Sequence, residues 1–108
     1  MTNTDDDEDN IYGGRSAKAV AKRLALTREV LGLRQFEFAE KANIKRSMYN
    51  HIESGNSMPS VKAAHALCDT YRLTFDWIYC GDPSSMKYEL ANAIAQIYNA
   101  RSKLASSD

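Results

Sequence analysis

Residues 33–59 read LRQFEFAEKANIKRSMYNHIESGNSMP, two short apolar-striped segments on either side of an asparagine. From Gln35 to Ala42, the residues Phe38, Ala39 and Ala42 fall on one helical face, and from about Lys45 to Ser54 Tyr49 and Ile52 do the same. Asn43 suits the left-handed turn position between them, a conformation asparagine tolerates better than most residues. The pair has small residues where two helices would cross (Ala39, Ala42) and an apolar plug for the turn (Ile44). Its second segment carries Arg46, Ser47, Asn50 and His51 on the outward side. Such a second helix, held away from the body, can enter the ~12 Å wide major groove of DNA.

Upstream, Ala17, Val20, Ala21, Leu24, Arg28 and Leu31 form the stripe of an amphipathic helix with Ser16 as N-cap and Gly32 as its stop. Gly13-Gly14 marks a joint before it. Downstream, residues 55–59 make a turn, and Ser60 caps a fourth helix striped by Val61, Ala64, Leu67, Cys68 and Tyr71. Thr74 opens a short fifth helix with Trp77 and Ile78, which Gly81-Asp82-Pro83 ends. A sixth is predicted over Ser85 to Leu104. Its Leu90, Ile94, Ile97 and Leu104 are a candidate dimer surface, with packing on the chain's own core as the alternative. No stretch alternates with period two, so the predicted fold is all-α.

Several of these residues together resemble the Cro/phage-repressor helix-turn-helix family, also called the xenobiotic-response-element type. They are Gln35, Phe38-Ala39, Ile44, Tyr49, Ile52-Glu53, Gly55, Pro59-Ser60, Leu67-Cys68, Tyr71 and Phe75-Asp76-Trp77-Ile78. The likeness covers about Ala19 to Asp82 and implies a five-helix lambda-repressor-like domain with an added C-terminal helix. It assigns base reading to Arg46, Ser47 and His51 with Asn50 beside them, and a phosphate contact to Gln35. Arg34, Lys45, Asn56 and Ser57 are further phosphate candidates, and Arg28 and Glu53 match a structural ion pair. Two departures stand out: Asn43 replaces the usual turn glycine, and Phe36 takes a position that is usually polar.

The 108 residues hold 14 Lys+Arg and 14 Asp+Glu, a formal charge of zero that would argue against a nucleic-acid partner. The zero is a cancellation. Asp5, Asp6, Asp7, Glu8 and Asp9 form one acidic block, while residues 11–82 carry eleven bases against seven acids. The expected organisation is a disordered acidic tail (1–14), a helix-turn-helix domain (15–82) and a C-terminal helix (83–108). Deleting residues 1–10 is expected to strengthen non-specific DNA binding at low salt, and a titration across salt concentrations checks this.

Other classes find little support. No G-x-S-x-G turn or Gly-rich phosphate loop is present, so no enzyme is expected. His51, His65, Cys68 and Cys80 lack a C-x-x-C spacing, so no metal or other cofactor is expected. The acidic N-terminus is unlike a secretory signal, no apolar run could span a membrane, and two cysteines make no disulfide framework; the expected location is the cytoplasm. The function expected is a sequence-specific DNA-binding transcriptional regulator of phage or prokaryotic type, a repressor acting as a homodimer on a two-fold operator. The alternative is an antitoxin or other interaction module of the same fold that neutralises a partner protein.

Overall fold

Ser16 is extended, and its Oγ accepts the Ala19 amide at 3.0 Å, which starts α1 (Ala17–Val30). In the computed structural model, which describes residues 9–105, five further helices follow and no strand forms. They are α2 (Gln35–Lys41), α3 (Arg46–Glu53), α4 (Val61–Tyr71), α5 (Asp76–Cys80, wound as a π turn) and α6 (Tyr88–Ala105). The acidic block other than Asp9 lies outside the described residues.

The α2–α3 unit is built as its residues require. Asn43 takes φ 57°, and Ile44 folds under the turn, buried, with its amide on the Ala39 carbonyl at 2.9 Å. Ala39 and Ala42 are buried where the helices meet. Phe38 stacks on Tyr71 with centroids 4.3 Å apart, and the Tyr71 hydroxyl donates to the Phe38 carbonyl at 2.7 Å. The helix pair is thereby fixed to α4.

Trp77 lies at the centre of the core with no exposed surface. Its indole N–H donates to Thr27 Oγ1 at 3.1 Å, and the Thr27 hydroxyl donates to the Arg23 carbonyl at 2.7 Å. Thr74 Oγ1 accepts the Trp77 amide at 3.0 Å and so opens α5. Ser60 Oγ caps α4 through the Ala63 amide at 3.1 Å. The α4 stripe packs on the core at Ala64, Leu67, Cys68 and Tyr71 and gains Ala63, whereas Val61, in the first turn, is 66% exposed.

One expectation needs correction. Residues 9–14, assigned to the tail, belong to the packed body. Ile11 is buried, and the Tyr12 ring meets Trp77 at 5.8 Å and Tyr98 at 5.4 Å. Ser16 Oγ donates to Asp9 Oδ1 at 2.6 Å, and the Gly13 amide donates to the Gly81 carbonyl at 3.3 Å. Two large apolar side chains give this arm a reason to fold.

Part of the candidate dimer seam packs on the chain's own core. Ile94 is 1% exposed against its own core, and Leu90 and Ile97 are half-buried beside it. Enclosing one isoleucine stabilises by roughly 1.5–3 kcal/mol, so the Ile94 part of the face turns inward to α1. Arg101 holds the far end of α6 to Glu29 at 3.0 Å, and Leu104 stays exposed.

Candidate nucleic-acid interface

The interface starts from a carboxylate that ties three helices together. Glu53, at the end of α3, receives Arg28 Nε at 3.0 and 3.1 Å and Arg28 Nη2 at 2.7 Å. Arg28 Nη1 donates to the Leu33 carbonyl at 2.8 Å, fixing the α1–α2 connection. Gln35 Nε2 donates to Glu53 Oε1 at 3.0 Å. The Arg28 and Glu53 side chains are only 17% and 5% exposed. Glu53 thus positions α3 against α1 and aims Gln35 at the start of α2.

Burial alone would raise the Glu53 pKa, but hydrogen bonds led by Arg28 overcome that and hold it below the usual 4.5. Burial first, and then the neighbouring Glu53 charge, push the Tyr49 phenol well up, so it stays protonated. Because the folded-state pKa of Glu53 is depressed, its contribution to stability is full above the ordinary carboxylate range and is lost as pH falls through the folded value. The melting temperature should therefore fall more steeply on acidification for the wild type than for Glu53→Gln. Parallel melting curves over that range would show that Glu53 carries no such linkage.

Both α2 and α3 begin unusually. The residues preceding them, Arg34 and Lys45, are cationic, and neither side chain caps its helix. Arg46 then adds a second positive charge in the first turn of α3. The helix dipole disfavours cations at an N-terminus, by ~0.3–1 kcal/mol each. At α3, which has no acid in its first turn, open N–H groups and clustered cations make a site for anions such as phosphate. Gln35, Lys45, Arg46, Ser47 and Asn50 surround one open hollow of roughly 700 Å³, which brings five of the expected contacts onto one surface.

Of the remaining candidates, one lies on α3, two on the turn that follows it and one just before α2. His51 is exposed on α3. Its carbonyl accepts the Asn56 and Ser57 amides at 3.0 and 3.2 Å, so the turn bearing those residues closes on the end of α3 opposite Arg46. An eight-residue helix is ~12 Å long, enough to separate two phosphate contacts. Arg34 is exposed at the start of α2, where its amide donates to Glu37 Oε1 at 2.9 Å.

Three residues matter beyond those expected. Met48 lies 47% exposed on α3, where it borders a hollow with Ala63 and Ala66 of α4. Its place just before buried Tyr49 was the available signal. Phe36 lies under Arg46, whose guanidinium carbon is 5.4 Å from the ring centroid. Arg23, counted among the basic residues of the body, is fully buried: Nε and Nη2 donate to the Ile78 carbonyl and Nη1 to that of Ile11. Burial lowers its pKa to about 10, a shift the nearby Cys80 thiol partly opposes. It stays charged at neutral pH and joins the arm to α5.

The geometry is that of a helix pair presenting its second member, and the family comparison agrees. The model of the Cro/C1-type helix-turn-helix family matches residues 24–78, and the chain belongs to that family. It is a DNA-binding regulator of that type, with double-stranded DNA as its ligand and an all-α, lambda-repressor-like fold. No curated protein and no solved structure gives a match. Among the described residues no helix is long and apolar enough to cross a membrane, and no cluster of three or more His, Cys, Asp or Glu side chains could hold a metal ion.

Proposed function

We propose that the chain is a transcriptional repressor that reads a two-fold operator through α3, acting by binding rather than catalysis. The observation that carries this reading is the concentration of Lys45 and Arg46 at the uncapped N-terminus of α3, where their charge opposes the helix dipole, with Arg34 exposed just before α2. Phosphates arriving at that end turn that opposition into attraction. Arg46, with no carboxylate at ion-pair distance among the described residues, is the base reader. Its fork can donate to both guanine O6 and N7. Ser47, Asn50 and His51 read flanking edges. Gln35, Arg34, Lys45, Asn56 and Ser57 hold phosphates.

One α3 spans only a few base pairs, so specificity calls for two copies on a symmetric site. A partner-neutralising surface would use Phe36 as an apolar contact, and the Arg46 guanidinium lies over one face of that ring.

Two substitutions separate the roles. Arg46→Ala should lower specific affinity by about 1–3 kcal/mol and flatten the preference at one base pair of each half-site. Gln35→Ala should weaken binding to all sequences alike. Competition titrations against single-base variants of a bound duplex measure both. An Arg46→Ala protein with an unaltered base preference would remove the assignment.

A further inference from the structure

Phe36 is the residue for which neither the core nor the phosphate contacts account. It is 39% exposed near the start of α2, an apolar ring on the face that meets DNA. The Arg46 guanidinium lies over it at 5.4 Å. Glu40, one turn further along α2, borders the same hollow as Phe36 and Arg46, so its carboxylate is the local competitor for that guanidinium. No ion pair between Glu40 and Arg46 forms. Arginine prefers a flat aromatic face, which satisfies its π-surface while leaving the in-plane N–H donors free. A carboxylate would consume those same donors.

We propose that Phe36 is a specificity-determining positioning residue, whose ring holds the Arg46 guanidinium clear of Glu40 with its donors free for a guanine edge. This rests on the reading of Arg46 as the base-reading side chain. Free arginine would sample many rotamers, and the ring removes part of that freedom before DNA arrives. Phe36 thereby acts on one base pair through Arg46 and leaves phosphate contacts alone.

The test uses the full chain and a duplex recovered by selection against the wild type, with all four bases placed in turn at each position. Arg46→Ala first defines the base pair whose preference it abolishes. Phe36→Ala should reduce the preference at that base pair by about two- to five-fold, the effect of one exposed cation–π contact. Its preferences elsewhere should hold, and Phe36→Tyr, which keeps the ring, should restore the lost discrimination. Thermal melting of each variant reports folding separately. An unaltered preference in Phe36→Ala, beside a lost one in Arg46→Ala, would overturn the proposal while leaving the Arg46 reading standing. A uniform loss at every position would also overturn it, by making Phe36 a structural residue. If Arg46→Ala abolishes no preference, both readings fall together.

Discussion

Arg28→Ala is expected to lower the free energy of unfolding by about 3 kcal/mol, near the lower end for breaking a buried ion pair. The substitution leaves the Glu53 carboxylate, 5% exposed, without its bidentate partner. It also removes the donor to the Leu33 carbonyl and so loosens the α1–α2 connection. Urea denaturation measures the change. DNA affinity should fall further than stability alone dictates, because Glu53 also orients Gln35. A loss well under ~1 kcal/mol, typical of an exposed pair, would contradict the role given to this cluster.

Gly81→Ala is expected to have a comparable effect through a different cause. Gly81 sits at φ 69°, and a Cβ there would lie 2.5 Å from both the Gly13 nitrogen and the Ile11 oxygen and 2.6 Å from Arg23 Nη1. Two of those atoms are backbone, so the arm must move. The left-handed conformation costs about 1–2 kcal/mol for a residue with a Cβ. Releasing Ile11 from the core forfeits roughly 1.5–3 kcal/mol more. Trp77 is the single tryptophan and touches Tyr12, so its emission should shift to the red as the arm detaches. Unchanged emission and stability would mean that the arm is not held by this close approach.

The helix-turn-helix unit was legible because its determinants are local. Ser16 and Ser60 mark helix starts by capping chemistry, and Asn43 and Ile44 mark a turn by conformation and polarity. The pairing of Arg28 with Glu53 spans 25 positions and followed only from the family resemblance. What escaped the sequence is tertiary. Arg23 falls on the α1 stripe between Val20 and Leu24, but an arginine there reads as solvated until carbonyls from Ile11 and Ile78 converge on it. Ile11 and Tyr12 are too few to predict an element of their own, and they order only because Trp77 and Tyr98 offer a surface. The seam of α6 reads alike whether it faces its own core or a second copy. In the chain's own fold Ile94 packs on the core.

In-vitro selection from randomised duplex DNA with the full chain tests the reading of α3 most directly. The expected product is a two-fold symmetric site with half-site centres ~34 Å apart or a multiple of that spacing. Each half-site should hold a guanine whose replacement weakens the wild type but leaves Arg46→Ala indifferent. Recovery of sequences with no common motif, or of a motif that Arg46→Ala selects equally well, would contradict the assignment of α3 as the element that reads DNA.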